Sequence, residues 1–287
     1  MVTPPTLAVR TATPEDIQSL ANLIHFDSFV HRHLDYRPPL SWVGERPFPL
    51  LCHDGEIVAA LACPTDPPHV AWIHLFAASY QITPDRAWDR LWTAGLEQLA
   101  EDSIVSCAAA IPLHEWFEKL LKKSRFERTH AIVMLRWNHG APLPKAYLPT
   151  GAILRPMTPE DLPEVQVVDK TAFVPVWQNS LVCLEYALRQ AAVATVVALG
   201  EHVVAYQIST ATPMGGHLAR LAVLPELQGQ GIGYALVRDL LAAFEQSGAQ
   251  TVTVNTQQKN EPSLAIYRKA GFQLTGEQYP IYQLEIP

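Results

Sequence analysis

The sequence reads Leu221-Ala-Val-Leu-Pro-Glu-Leu-Gln-Gly-Gln-Gly-Ile-Gly233 where a predicted strand meets a predicted helix. The helix is expected from Gly231 to Gln246, because apolar residues recur there at helical spacing. Three glycines within five residues permit a tight turn and leave backbone N–H groups uncovered by side chains. At a helix start, such N–H groups and the helix dipole favour an anion. The segment predicts a site for a phosphorylated ligand, although a turn without a ligand would show the same pattern.

Two better-known phosphate-binding patterns fail at this segment. A Walker loop requires Gly-Lys followed by Ser or Thr, and no lysine lies between Leu221 and Gly233. A dinucleotide fingerprint requires a third glycine where Tyr234 stands and an acidic residue about 20 positions further on, and the sequence has neither. The segment therefore points away from P-loop and Rossmann proteins.

A second motif lies downstream, where Asn260-Glu-Pro-Ser-Leu-Ala-Ile-Tyr267 is followed by Gly271-Phe272. Together the two motifs resemble the signatures of GNAT superfamily N-acetyltransferases. The first family signature is Q/R-x-x-G-x-G/A, which Gln228 to Gly233 fits. In the second, an Asn precedes a helix and a Tyr seven residues later precedes a Gly-Phe pair. The resemblance covers residues 152–287.

The resemblance implies that this part of the chain binds acetyl-CoA as a co-substrate. In the family, the strand end offers backbone groups to the pantetheine arm, and the loop amides hold the pyrophosphate. The implied cofactor-binding residues are Leu221, Ala222, Val223, Gln228, Gly229, Gln230, Gly231, Ile232, Gly233, Asn260 and Tyr267. Tyr267 would also be catalytic, since a positioned O–H donor can protonate the departing CoA thiolate. The alternative for Tyr267 is a half-buried helix aromatic without a chemical role.

The sequence leaves the identity of the general base open. Many relatives carry a Glu on the strand that leads to Leu221, but here that strand reads His217-Leu-Ala-Arg-Leu and has no carboxylate. His217 is the one residue on it with a suitable ordinary pKa, although it could be a simple polar strand residue. Loss of the amine proton to water is the other possibility. Other acidic residues of this half are expected to be solvated; they are Asp169, Glu185 and Glu201.

Three pairs of matching segments recur along the chain at nearly one spacing. Arg10-Thr-Ala-Thr-Pro-Glu-Asp-Ile17 matches Arg155-Pro-Met-Thr-Pro-Glu-Asp-Leu162 at a shift of 145, and Gly55-Glu56 matches Gly200-Glu201 at the same shift. Phe126-Glu-Arg-Thr129 matches Phe272-Gln-Leu-Thr275 at a shift of 146. This order predicts two copies of one fold. A Pro- and Gly-rich stretch separates them, so the predicted boundaries are residues 1–138, a linker at 139–151, and residues 152–287.

The first copy departs from the pattern at every position that the chemistry needs. Residues 83–88, Thr-Pro-Asp-Arg-Ala-Trp, replace the glycine loop, and His114 and Leu121 stand for Asn260 and Tyr267. Pro84 and the bulky residues after it do not expose bare amides. We therefore expect a degenerate copy with a structural or substrate-shaping role. Its tryptophans are expected in the core or at a domain interface, and its Pro-rich stretch at residues 26–49 is expected to be a loop.

Composition limits the other possibilities. Hydrophobic residues make up 48% of the chain and the formal net charge is −7, which favours a packed globular protein without a nucleic-acid partner. No apolar run approaches the roughly 20 residues of a membrane span, and the start lacks a secretory signal. The four scattered cysteines suggest reduced thiols, and His25, His31 and His33 lack a paired motif for a metal. A cytoplasmic location is expected, with no membrane partner and no metal.

The sequence thus predicts an α/β (α+β) protein with two tandem GNAT-like domains. Each domain would be a mixed, twisted central sheet flanked by helices, and in the second copy the strand at Leu221 would splay from the strand at Val252. The expected activity is transfer of an acyl group from acetyl-CoA to a primary amine of a small molecule or peptide. The alternative is an acyl-CoA-binding sensor without turnover. A monomer and a homodimer are both compatible with the sequence.

Overall fold

The computed structural model describes residues 7–140, 143–212 and 215–286. Their contacts divide into two compact units. Unit 1 combines Met1–Thr129 with Pro280–Pro287, and unit 2 is His130–Tyr279. None of the helices in the described ranges is long and apolar enough to cross a membrane.

Within its described residues, unit 1 contains seven strands of its own and three α-helices. The strands are β1 (Leu7–Thr11), β2 (Phe29–Arg32), β3 (Pro49–His53), β4 (Glu56–Ala62), β5 (Val70–Trp72), β6 (Leu75–Ala78) and β7 (Cys107–Ala110). The helices are α1 (Ile17–Phe26), α2 (Pro84–Ala100) and α3 (Glu115–Lys123). An antiparallel sheet has the order β1-β3-β4-β6-β2, and β5 pairs in parallel with β7. The stretch at 26–49 is thus more ordered than the expected loop, because it contains β2.

Unit 2 contains the strands and helices that carry the candidate site. Its strands are β8 (Glu127–Asn138), which begins in unit 1, β9 (Ala152–Pro156), β10 (Val193–Leu199), β11 (His202–Thr212), β12 (Gly215–Val223), β13 (Thr251–Gln257) and β14 (Gln273–Glu285), which ends in unit 1. Its helices are α4 (Leu162–Ala172), α5 (Leu181–Arg189), α6 (Ile232–Gln246) and α7 (Glu261–Lys269). Strands β9 to β12 are antiparallel neighbours, β12 is parallel to β13, and β13 is antiparallel to β8. The mixed sheet and the helices predicted for this half are confirmed.

The repeat seen in the sequence has a structural counterpart at the start of each copy. Asp16 accepts a hydrogen bond from the backbone N–H of Thr13 at 2.8 Å, and Asp161 accepts the same bond from Thr158 at 2.8 Å. Each aspartate also pairs with an arginine on the preceding strand at 2.6 Å; these are Arg10 and Arg155. The two segments therefore form the same capping box.

The boundaries of the units differ from the linear boundaries that the sequence predicts. The predicted linker, 139–151, lies inside unit 2, and the last residues of the chain belong to unit 1. The reason is the pairing of two long strands. Strand β8 pairs with β13 from Ile132↔Gln257 to Asn138↔Thr251, while the end of β14 pairs with β7 from Tyr282↔Ala110 to Glu285↔Cys107.

The core of unit 1 is rich in aromatic residues. Trp42, Trp72, Trp88 and Trp92 are buried, and the partly buried Trp116 packs against the core cluster that contains Trp88 and Trp92. The expectation that these tryptophans serve packing is confirmed for unit 1. The four cysteines are free, and Cys52, Cys63 and Cys183 are buried, which agrees with inert thiols.

Candidate functional site

Strands β12 and β13 separate halfway along their length. Their parallel pairing covers Gly216↔Val252, His217↔Thr253 and Leu218↔Val254. On its other side, β12 stays paired with β11 as far as Val223↔Ala205. The last five residues of β12 therefore have an edge without a strand partner on the β13 side, and the predicted splay is confirmed.

The glycine loop lies at the wide end of this opening. Gly229 has φ +77° and Gly231, the N-cap of α6, has φ +88°, both in the left-handed region that favours glycine. A Cβ at Gly229 would meet no atom within 4 Å, so bare backbone faces open space there. The side chain of Gln228 donates a hydrogen bond to the carbonyl of Val223 at 3.1 Å and ties the loop to the end of β12.

The first turn of α6 leaves backbone N–H groups for a ligand. The first bond of the helix runs from the N–H of Ala235 to the carbonyl of Gly231, and the N-cap makes no side-chain hydrogen bond in the described structure. The N–H groups of the residues before Ala235 are therefore available as donors at the positive end of a 15-residue helix. This arrangement fits a pyrophosphate group.

Gly233 has a different task from the one that the family signature implies. It lies within α6 and is buried, and a Cβ there would come within 3.0 Å of Ile266 Cδ1 and 3.6 Å of Val223 Cγ2. Its small size lets α6 approach α7 and β12 closely. A larger residue at this position would disturb packing before it touched a ligand, so it is a poor position for testing the loop.

Asn260 is the N-cap of α7. Its Oδ1 accepts a hydrogen bond from the backbone N–H of Ser263 at 3.2 Å, and its Nδ2 donates to Gln257 Oε1 at 3.1 Å. These bonds give the asparagine a structural role that its place before Glu261-Pro262 could have indicated, since Asn is a favoured N-cap. A contact with a cofactor stays a prediction.

Tyr267 lies on α7 with 5% of its surface exposed. Its ring belongs to the cluster of Leu218, Val254 and Leu264, and it contacts Phe272 with ring centroids 5.7 Å apart. Burial raises the pKa of the Tyr267 hydroxyl, so the group keeps its proton at neutral pH. The residue has the protonation state of an acid and also the packing of a core side chain.

His217 lies at the narrow end of the opening, where β12 and β13 are still paired. Its Nδ1 is 2.9 Å from Thr253 Oγ1, and burial lowers its pKa, so the ring is neutral at pH 7. The neighbouring Leu218 packs in the same cluster as Tyr267. Because successive strand residues point to opposite faces of a sheet, His217 faces away from Tyr267.

Asp169 is fully buried, so the expectation that it is solvated is wrong. Its carboxylate accepts hydrogen bonds from Tyr206 Oη, from Arg220 Nε at 2.8 Å and from the backbone N–H of Asn179 at 2.7 Å. These partners compensate the cost of burying the charge. Glu201 is exposed and Glu185 is half-buried.

Arg220 extends this network toward the opening. It lies on the unpaired half of β12, donates to the carbonyl of Trp177, and places its guanidinium 3.8 Å from the ring centre of Phe173. The loop after α4 is thereby held against β12. Sequence reasoning missed this network, because its members lie far apart in the chain and form no motif.

Unit 1 has different residues at the positions that match the loop, Asn260 and Tyr267. Leu121, which stands for Tyr267, is fully buried, and His114, which stands for Asn260, is the N-cap of α3. Residues 83–88 form an ordinary helix start, with Thr83 as N-cap and Pro84 as the first helical residue. Among the described residues no group of His, Cys, Asp or Glu side chains is arranged to hold a metal ion.

Comparison with known proteins relates the part of the chain that carries this site to a known family. Residues 159–272 match the family model described as the Acetyltransferase (GNAT) family. The N-alpha-acetyltransferase 30 of Schizosaccharomyces pombe is 30% identical over 74 residues, which are 26% of this chain and 49% of that protein. The mycothiol acetyltransferase of Pseudarthrobacter chlorophenolicus is 31% identical over 147 residues, with 46% of each chain covered. The chain thus spans about half the length of these curated relatives.

A solved structure extends the likeness to both copies. A tandem GNAT protein from the clavulanic acid biosynthesis pathway matches with a TM-score of 0.60 over 99% of both chains, at 15% identity. At this identity the match shows the fold. Residues 159–272 of the C-terminal copy thus match the GNAT family model, and the fold of the chain is similar to that of a tandem GNAT protein.

Proposed function

We propose that unit 2 is an N-acetyltransferase that moves the acetyl group of acetyl-CoA to a primary amine. The observation that carries the proposal is the bare loop at Gly229 and Gly231, placed where the edge of β12 becomes free of β13. Backbone donors for a pyrophosphate and a free strand edge for an amide-bearing arm occur together. A turn without a ligand would need neither the open space at Gly229 nor the separated strands.

The parts of acetyl-CoA are matched to this chain as follows. The N–H groups from Gly229 to Gly233 hold the pyrophosphate, and the free edge of Leu221, Ala222 and Val223 pairs with the pantetheine amides. When bound, acetyl-CoA supplies an activated acyl group and a thiolate leaving group. The thioester then lies toward the narrow end of the opening, between the faces that carry Tyr267 and His217.

Two residues on opposite faces of the sheet each carry out one of the two proton transfers. Tyr267, whose raised pKa keeps it protonated, donates to the sulfur as negative charge develops there. His217, whose lowered pKa keeps it neutral, accepts the proton that the attacking amine must lose, directly or through water. The amine attacks the thioester carbonyl, the carbon–sulfur bond breaks, and the products are an amide and CoA thiol.

The acceptor is proposed as a primary amine of a small molecule or a peptide, and the tandem fold is proposed to act as a monomer or homodimer in the cytoplasm. A turnover screen tests the activity. Acetyl-CoA is mixed with a panel that contains a polyamine, an amino sugar, free lysine and a peptide with a free amino terminus, and release of free thiol is followed. The same compounds with their amines already acetylated are the matched controls. Thiol release with one class, and none with its acetylated form, supports the proposal.

A second candidate, an acyl-CoA sensor without turnover, has one observation in its favour. The described residues of β12 carry no carboxylate, and the Nδ1 of the one histidine there is already engaged with Thr253. Micromolar binding of acetyl-CoA by calorimetry, combined with silence of the whole amine panel, would favour the sensor. Absence of binding would contradict both functions.

A further inference from the structure

The segment that was predicted as a linker packs beside the glycine loop. We call residues 143–148 the strap. The hydroxyl of Tyr234 on α6 donates a hydrogen bond to the carbonyl of Pro144 at 2.8 Å. Leu143 and Ala146 pack against the cluster that contains Tyr234 and Tyr267, and Leu148 packs against the cluster that contains Ile232. The strap is therefore fixed to unit 2 at both of its ends.

The middle of the strap touches the loop itself. A Cβ at Gly231 would lie 3.1 Å from the backbone carbonyl oxygen of Tyr147. The backbone of Tyr147 is thus in near contact with the N-cap of α6, while 74% of its side chain is exposed. An aromatic ring that is mostly exposed, although its own backbone is fixed, is available for stacking on a ligand bound to the loop.

Charge at the loop points to the same place. Residues 228–233 carry no charged side chain, and the nearest charge before them in the chain is Glu226. Acetyl-CoA carries a pyrophosphate and a 3′-phosphate, so a cation near the loop would strengthen its binding. Lys145 is exposed on the strap two residues before Tyr147, and it has no ion-pair partner in the described part of the chain.

The direction of the ligand separates its two halves. The pantetheine arm leaves the pyrophosphate toward the opening between β12 and β13, along the edge of Val223 and Leu221. The adenosine half must leave the loop on another side, because the arm fills the opening. The strap borders the loop next to Gly231 and near Tyr234.

We propose that the strap is the adenosine side of the acetyl-CoA site. The ring of Tyr147 stacks on the adenine, and the ammonium of Lys145 pairs with the 3′-phosphate. The proposal rests on the acetyl-CoA binding proposed above and adds which part of the ligand each residue recognises.

The first test uses Tyr147→Ala with Tyr147→Phe as the matched control. Base–aromatic stacking predicts that the alanine variant binds CoA roughly tenfold more weakly, while the phenylalanine variant, which keeps the ring, binds as the parent does. S-acetyl-pantetheine, which lacks the adenosine half, should react equally well with all three proteins. The melting temperature should not change, since the ring is exposed. Equal CoA affinity of the alanine variant and the parent would overturn the proposal.

The second test uses Lys145→Ala and compares CoA with 3′-dephospho-CoA in calorimetry. The parent should prefer CoA, and the variant should lose that preference by about three- to tenfold while its affinity for dephospho-CoA stays the same. Lys119→Ala, which removes an exposed lysine from unit 1, is the control and should keep the preference. A preference retained in Lys145→Ala would contradict the role of Lys145.

The proposed function and the strap fail in different ways. If the parent protein binds neither CoA nor dephospho-CoA, the function is wrong and the strap has nothing to recognise. If the parent binds CoA and the strap variants behave as the parent does, the function stands and the strap proposal is wrong.

Discussion

The same helix start has opposite character in the two units. In unit 2, α6 begins after Gly231 in a left-handed conformation and leaves its first N–H groups open. In unit 1, α2 begins with Thr83 at φ −69° and with Pro84, which is a common helix start and exposes no bare loop. Each unit contains strands, helices and a capping box of the same kind, so the difference between them is local to the start of one helix. The candidate site therefore depends on a few residues where a strand meets a helix, and not on the fold that the two units have in common.

The opening itself differs in the same way. In unit 1 the strand before α2, β6, is paired on both sides: Leu75–Ala78 pairs with Ala59–Ala62 of β4 and with Phe29–Arg32 of β2. The Phe76 ring lies 5.2 Å from Trp88 and 6.2 Å from Phe117, and all three side chains are buried. Strand β6 therefore has no free edge along its described length, unlike the last residues of β12. The comparison predicts one working site per chain.

The largest expected effect is on Tyr267, which tests whether the leucine at the matching place in unit 1 marks a lost acid. Tyr267→Phe keeps the ring and removes the hydroxyl, so turnover should fall by roughly 10² to 10⁴ with little change in CoA affinity. Steady-state kinetics and calorimetry on the same preparations measure both. Full activity would mean that another group protonates the sulfur, and a loss of stability without a loss of turnover would favour the core role.

The next effect is on the loop. Gly229→Val places a branched side chain in the open space that the pyrophosphate requires, and CoA affinity should fall by about 100-fold or more. Gly248→Val is a matched control, because Gly248 also has a positive φ, +85°, with nothing within 4 Å of a Cβ, at the far end of α6. Both variants carry the same backbone strain. Equal loss of affinity in both would show that strain, and not blocked access, is responsible.

The number of CoA molecules bound per chain tests the comparison of the two units directly. Titration of the full chain with CoA should saturate at one ligand per chain, since the start of α2 offers no amide cradle. A value of two would mean that unit 1 binds the ligand by another route.

The shared capping box should respond alike in both units. Asp16→Asn and Asp161→Asn each weaken a cap bond and an arginine pair, and each should cost about 1 kcal/mol of unfolding free energy. Hydrogen exchange can assign the loss to unit 1 or unit 2. The exposed residues Glu97 and Glu201 provide the control amides, Glu97→Gln and Glu201→Gln. Unequal losses of unfolding free energy would show that the two capping boxes have the same geometry but contribute differently to stability.

A pH dependence of stability is also expected from unit 1. Burial lowers the pKa of His31 to about 3, and neighbouring His33 and His74 contribute in the same direction. Below its ordinary pKa of about 6.5 the unfolded chain takes up a proton at His31, while the folded chain stays neutral. The unfolding free energy should therefore fall from pH 6.5 toward pH 3, by at most about 1.4 kcal/mol per pH unit for this histidine.

Thermal melts at pH 7.5 and 5.5 measure that slope. His31→Gln should reduce the difference between the two pH values, whereas His25→Gln, at an exposed histidine of the same unit, should leave it unchanged. An unchanged slope in His31→Gln would assign the acid sensitivity to other groups.

Sequence reasoning found the features that depend on neighbours in the chain. The helices α6 and α7 follow from apolar spacing, and the loop follows from its glycines, because backbone freedom is a local property. The capping boxes also have a short, local pattern. The separation of β12 from β13 came through the family resemblance and not from periodicity.

Features set by distant partners were not predictable. Asp169 is buried because Arg220 and Tyr206, on two other elements, supply its hydrogen bonds, and a single acidic residue in the sequence does not reveal such partners. The unit boundary was misplaced for a similar reason. An apolar strand shows which residues are buried but not which edge it joins, so the partners of β8 and β14 could not be read from their own residues.

The membership of Pro280–Pro287 in unit 1 has a consequence for biosynthesis. Unit 2 is one continuous stretch, His130–Tyr279. Unit 1 is interrupted after Thr129 by the 150 residues of unit 2 and continues at Pro280. A ribosome therefore delivers every residue of the second unit before it delivers the strand segment that pairs with β7. Until Tyr282–Glu285 has been synthesised, the edge of β7 that pairs with this segment stays free, and a free strand edge can pair with a wrong strand. Chains that lack Pro280–Pro287 should accumulate with a folded unit 2 and an incompletely folded unit 1.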